Sequence, residues 1–186
     1  MHMAERRLEE MSLEELWELF PIVLTPHDER WAEWADKEMA RLRPRLGPSC
    51  TALHHIGSTA VPDLWAKPIV DLLAEADGPA SLPDLKIRLL CAGYRCMSES
   101  AGRISFNRGY TPSGFAERVF HLHLRVVGDA DELRFRDYLR SHADVAREYE
   151  ALKRSLWKRY EHDRDGYTAA KADFVRHYTA VAKAEG

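Results

Sequence analysis

The chain has 186 residues, with 27 Lys+Arg against 30 Asp+Glu and nine His, a formal net charge of −3. A hydrophobic share of 45% and a charged share of 31% are those of an ordinary globular domain, and they exclude a disordered tail, a collagen-like repeat and a coiled-coil rod. The slightly acidic balance argues against a sequence-independent nucleic-acid binder, and no apolar run approaches the ~18 residues of a membrane span.

The start is polar, without the apolar stretch of a signal peptide, and residues 1–10 read as a frayed, charged end. Ser12-Leu13-Glu14-Glu15 is a capping box, which opens a short helix that Pro21 closes. Thr25-Pro26 is a second start signal, a Thr cap with Pro in the first turn. Trp31, Trp34, Ala35, Glu38, Met39 and Leu42 then recur at threes and fours, predicting a helix to about Arg43, before Pro44. Gly47-Pro48 is a loop.

The period then changes. Thr51–Ile56 reads as a strand that Gly57-Ser58-Thr59 breaks. Pro68–Ala74 is apolar except for Asp71, the pattern of a strand covered on both faces. Ser81–Cys91 reads as a helix stopped by Gly93. Tyr94–Met97, Arg103–Asn107 and Arg118–Val127 read as three further strands, the last two joined by a hairpin at Pro112-Ser113-Gly114. Asp131–Ser141 is helical, Val145, Tyr149, Leu152, Leu156 and Tyr160 form a second helical stripe, and Asp165 caps a last helix carrying Tyr167, Phe174 and Tyr178. The order predicts an α+β fold, with a mixed sheet built by about 51–127 and a helical segment over about 129–184. Residues 1–22 form an N-terminal extension and 23–186 a single domain.

Two constellations carry chemistry. Gly57 lets the backbone approach a ligand closely, Ser58 and Thr59 offer hydroxyls, and the turn's amides can face an anion. Asp71 stands alone in its apolar strand, where a carboxylate is costly unless it is paired, hydrogen-bonded or metal-bound. Gly-Ser after one strand and Asp on the next suits a nucleotide with Mg²⁺; it is equally the pattern of a tight turn and one structural Asp. His121 and His123 share a strand face and could ligate one metal or grip one anion. Lys67, Arg118, Arg125 and Lys171 add charge suited to phosphate. Arg41, Arg43, Lys153 and Arg154 read as solvated surface charge, and the tryptophans and the Tyr stripe as helix packing. Cys50, Cys91 and Cys96 lack metal-site spacing and are expected to be inert; their sparse, odd count suits a reducing, cytoplasmic setting.

Taken together, His55-Ile56-Gly57-Ser58-Thr59-Ala60-Val61-Pro62, Ala66-Lys67-Pro68-Ile69-Val70-Asp71-Leu72, Phe120-His121-Leu122-His123-Leu124, Phe135-Arg136-Asp137-Tyr138-Leu139-Arg140 and Tyr167-Thr168 with Lys171 and Phe174 resemble the GrpB family from about Val23 to Tyr178. The resemblance implies a nucleotidyltransferase-like mixed sheet flanked by helices, with a C-terminal helical segment. GrpB-like domains are also found fused to dephospho-CoA kinase, which implies nucleotide or coenzyme metabolism. Gly57, Ser58, Thr59, Lys67 and Lys171 would bind phosphate. Asp71, His121 and His123 would form a catalytic or metal centre, and the partner would be a nucleotide or another phosphorylated small molecule. In that superfamily an Asp-x-Asp or Asp-x-Glu pair holds two Mg²⁺; here Leu73 occupies the second position. One Asp and two His suit a single Mn²⁺ or Zn²⁺ better than an Mg²⁺ pair. The expected function is nucleotidyl transfer to an acceptor or, alternatively, ligand or metal binding by a non-catalytic regulatory or scaffold module. The family commonly has Gly where this chain has Asp63, and Glu where it has His54; Asp63 would add negative charge beside the phosphate turn.

Overall fold

The computed structural model describes residues 7–185. After a single 3-10 turn over Leu8–Glu10 come α1 (Leu13–Leu19), α2 (Arg30–Leu46), β1 (Cys50–Ile56), β2 (Val70–Ala76), α3 (Leu82–Cys91), β3 (Arg95–Ser100), β4 (Arg103–Thr111), β5 (Gly114–Val126), α4 (Asp131–Ser141), α5 (Ala143–Trp157) and α6 (Arg164–Glu185). The α+β architecture expected from the sequence is present. The five strands form one mixed sheet in the order β1-β2-β5-β4-β3, with β2 and β5 parallel and the other pairs antiparallel. No helix among the described residues is long and apolar enough to cross a membrane. Of the frayed, charged end expected over residues 1–10, residues 1–6 lie outside the described residues, whereas Leu8–Glu10 form an ordered turn with Leu8 buried.

The sheet has one face for each group of helices, because side chains alternate along a strand. Val70, Leu72 and Ala74 of β2 and Phe120, Leu122 and Leu124 of β5 point to one side, where Trp31, Leu42, Leu85 and Leu89 of α2 and α3 cover them. Asp71, His121 and His123 therefore point to the other side. There a second cluster of Val61, Leu64, Leu139, Val145 and Tyr149, with Phe174 and Tyr178 packed on it, ties α4, α5 and α6 together. Leu72, Leu73 and Ala74 are fully buried, as a strand covered on both faces requires.

Several boundaries differ from expectation. Thr25-Pro26 does not start a helix: Thr25 and Ala66 exchange backbone hydrogen bonds at 2.9 and 3.0 Å, which holds the segment extended. The helix begins at Arg30, whose amide donates to the Asp28 carboxylate. It also runs through Pro44 to Leu46, because Leu42 and Leu46 are both buried in the core and reward the last turn. Proline this close to the helix end costs one hydrogen bond without breaking the core contact. At α6 the capping carboxylate is Asp163, which accepts from the Gly166 amide at 2.8 Å, in place of Asp165.

One irregularity in β4 matters for the site. The β4–β5 ladder shifts register between Arg108 and Tyr110, where Gly109 has φ 95°. A Cβ there would lie 2.4 Å from the Arg118 carbonyl oxygen, so only glycine fits. Strict alternation would put 108 and 110 on the same face. Instead Arg108 reaches Glu38 of α2 at 2.8 Å on one side, and Tyr110 reaches His121 on the other. Glu38 also holds Arg41 and accepts from Tyr94 Oη at 2.8 Å. Arg41, expected on the solvated surface, is thus half-buried in a structural ion cluster.

Candidate functional site

The parallel pairing of β2 with β5 sets Asp71 beside His121 and Leu73 beside His123. His121 Nδ1 lies 3.4 Å and His123 Nε2 3.9 Å from Asp71 Oδ1. On the opposite flank β1 ends at Ile56, paired with Asp71. Gly57 follows with φ 71°, and a Cβ there would stand 2.4 Å from Asp71 Oδ2. The glycine therefore does two things at once: it adopts the left-handed turn and lets the backbone lie against the carboxylate. Ser58–Ala60 then make a single 3-10 turn. Thr59 is buried and its hydroxyl is bonded to His55 Nε2 at 2.9 Å.

All eight residues expected in the site line one cleft of about 710 Å³ between this sheet face and α4–α6: Gly57, Ser58, Thr59, Lys67, Asp71, His121, His123 and Lys171. Arg118 does not join them. It sits on the other sheet face, with its guanidinium 5.6 Å from the Trp34 ring. Arg125 is buried on the cleft side but is consumed by Glu132 at 3.0 Å and by backbone carbonyls. Asp63, expected to add charge beside the turn, is exposed, is not part of the cleft wall, and has φ 61°. That left-handed angle is one that glycine adopts without strain.

Lys153 corrects the reading of it as surface charge. It is 2% exposed, and its Nζ donates to Ser58 Oγ at 3.1 Å and to the Trp65 carbonyl. The signal was present in the sequence: Lys153 stands four residues after Tyr149, so it shares the inward stripe of α5. Tyr149 likewise lines the cleft, in addition to its packing against Phe135 and Phe174.

The charge pattern is lopsided. Asp131 and Glu132, also in the cleft wall, are matched by Lys183 at 2.7 Å and Arg125 at 3.0 Å. Lys67 and Lys171 have Asp71 as counter-charge, and Lys153 has Glu150. Burial, then Lys171 and Arg164, push Lys67 down to about 7. Burial, then Lys171, push Lys153 down to about 7, against the pull of Glu150. Burial pushes Lys171 down to about 8, against the pull of Asp71. Burial also disfavours the Asp71 carboxylate, but the hydrogen bonds and charges of His121 and His123 outweigh it and hold it well below the usual range. Burial lowers His121, against the hydrogen bond and charge of Asp71.

A two-Mg²⁺ clamp does not fit these residues. It needs several carboxylates bridging both ions, and the second position on β2 is Leu73, fully buried. Among the described residues, no three His, Cys, Asp or Glu side chains are arranged to hold a metal ion. What this end of the cleft offers is a set of anion-binding groups: a glycine turn, a hydroxyl and three lysines.

Residues 21–180 match the family described as GrpB protein. The UPF0157 protein YqkA of Bacillus subtilis is 34% identical over 155 residues, which cover 81% of this chain and 44% of that protein. This chain thus spans less than half of that relative's length. The crystal structure of the conserved protein GrpB from Enterococcus faecalis superposes with a TM-score of 0.75 at 29% identity, over 86% of this chain and 96% of that one. The fold is also that of the Cid1 poly(U) polymerase, with a TM-score of 0.50 at 13% identity, over 76% of this chain and 44% of that one.

Proposed function

The chain belongs to the GrpB family, and from that membership and the chemistry of the cleft we propose that it binds a nucleotide or another phosphorylated small molecule by its phosphates. The observation that carries this reading is the convergence of Lys67, Lys153 and Lys171 with the Gly57-Ser58 turn at one end of the cleft. Three clustered cations repel one another, an anion relieves that repulsion, and phosphate oxygens accept from ammonium, hydroxyl and backbone N–H alike. The free thiols Cys50, Cys91 and Cys96 support a reducing, cytoplasmic setting.

Leu73 favours binding without Mg²⁺-dependent transfer. The nucleotidyltransferase fold supports a transfer reaction, but the fold alone does not supply the second carboxylate. Our reading is therefore of a phosphate-binding module whose turnover with Mg²⁺ is absent or very slow.

The test is calorimetry and thermal shift with pyrophosphate, nucleoside mono-, di- and triphosphates and coenzyme A precursors, each with no metal and with Mg²⁺, Mn²⁺ or Zn²⁺. Phosphorylated ligands should raise the melting temperature without metal, and the parent nucleosides should not. Ser58→Ala should weaken this response more than it lowers stability. Absence of binding by every phosphorylated ligand would overturn the reading. Incubation with labelled ATP or CTP tests the second part: robust Mg²⁺-dependent transfer that Asp71→Asn abolishes would show that the chain is a working transferase.

A further inference from the structure

A file of hydrogen bonds runs from α6 through β4 to the cleft floor. Arg164 Nη1 donates to Tyr110 Oη, and Tyr110 Oη lies 2.9 Å from His121 Nε2. The other side of the same ring, Nδ1, faces Asp71 Oδ1. A guanidinium has no acceptor, so Arg164 must take a lone pair of the Tyr110 oxygen. The single hydroxyl proton of Tyr110 then goes to His121 Nε2. The opposite arrangement, with Nε2–H donating to Tyr110, would leave that half-buried hydroxyl proton without an acceptor. His121 therefore carries its proton on Nδ1.

His123 is fixed by the same logic from another side. Arg125 Nη2 donates to His123 Nδ1 at 3.2 Å, which makes Nδ1 an acceptor and puts the proton on Nε2, the nitrogen turned to Asp71.

We propose that Tyr110, delivered to the cleft face by the break at Gly109 and oriented by Arg164, is a positioning residue that holds His121 in its Nδ1–H form, so that Asp71 meets two imidazole N–H groups and no imidazole lone pair. The inference concerns the same cleft as the proposed function and deepens it. The free centre is a carboxylate faced by two N–H groups, at 3.4 and 3.9 Å from its Oδ1. An imidazole lone pair is what a metal ion takes, and both such lone pairs point away from Asp71, toward Tyr110 and Arg125. The two constraints differ in origin: Arg125 belongs to the strand that carries His123, whereas Tyr110 and Arg164 come from β4 and α6.

The ligand-free, metal-free protein labelled with ¹⁵N-histidine gives the tautomers directly from long-range ¹H–¹⁵N correlations, with each ring assigned from its own His→Gln variant. We expect Nδ1–H at His121 and Nε2–H at His123. In Asp71→Ala the His121 assignment should persist, because Tyr110 still donates. In Asp71→Ala combined with Tyr110→Phe the population should invert to the Nε2–H form. Finding Nε2–H at His121 in the unaltered protein overturns the proposal whether or not the variants fold, and so does a folded double variant whose His121 tautomer matches that of Asp71→Ala. No ligand enters the measurement, so its failure is separate from a failure of the phosphate reading.

Discussion

Lys153 Nζ donates to Ser58 Oγ across 3.1 Å and so joins the inner face of α5 to the turn after β1. The contact gives the turn a cation that no strand provides. Lys153→Met keeps the apolar stem and removes the charge. It should weaken pyrophosphate or nucleotide binding by about 10- to 100-fold, the worth of one hydrogen bond to a charged group. Calorimetric titration of the folded variant checks it, and an unchanged affinity would place the phosphates away from Ser58.

The lysines set a pH dependence with two opposite signs. Lys67 and Lys153 lie near 7 and Lys171 near 8 in the free protein, all below the ordinary lysine value. Between those values and the unfolded one the folded state binds fewer protons than the unfolded state, so these groups make the free protein more stable as pH rises through that window. Their cost is fully present below about 7. Anion binding needs them charged, so affinity should fall as pH rises past 7 to 8, by roughly tenfold per pH unit for each lysine that must gain a proton. Parallel melting and binding curves between pH 6 and 9 would show the two trends diverge. Parallel trends would mean that the lysines do not meet the anion.

Asp63 sits at φ 61° and is exposed. A left-handed angle is unfavourable for a residue with a Cβ, although less so for Asp than for most. Asp63→Gly should therefore stabilise the protein by up to ~1 kcal/mol, net of the greater freedom glycine has when unfolded. Chemical denaturation measures this, and a clear loss of stability would show that the Asp63 side chain makes a contribution larger than its strain.

Glu38 is buried among Arg41, Arg108 and Tyr94. Burial raises its carboxyl, but the Arg41 and Tyr94 hydrogen bonds and the Arg108 charge outweigh burial and hold it below the usual range. Its contribution is present at neutral pH and is lost as pH falls through the depressed value. Glu38→Ala leaves the half-buried Arg41 and Arg108 guanidinium groups unpaired and should cost about 1–3 kcal/mol. A denaturation midpoint close to that of the unaltered protein would show that the cluster relaxes into solvent.

The sequence made the sheet and the centre legible for a simple reason: both are local patterns. Asp71 is the one acid in an apolar strand, and His121 and His123 share a face by the period of two. Long-range pairing was not legible. Thr25 looks like a helix cap until Ala66 takes its backbone groups, a partner no local pattern names. Lys153 reads as surface charge from its residue type, although its place on the Tyr149 stripe points inward. Tyr110 was hidden because Gly109 breaks the alternation on which a strand reading depends.

That break also limits how the β4–β5 hairpin can change length. Arg108 answers to Glu38 beneath the sheet and Tyr110 to His121 above it. A residue gained or lost between 107 and 110 would send both side chains to the wrong partner, burying a tyrosine against an ion cluster and a guanidinium against a histidine. The two-residue turn at Pro112-Ser113, beyond both contacts, carries no such constraint. Insertions and deletions in relatives should therefore collect at the tip of this hairpin and stop at Tyr110, with the hairpin stem keeping the same count of residues even where its side chains differ.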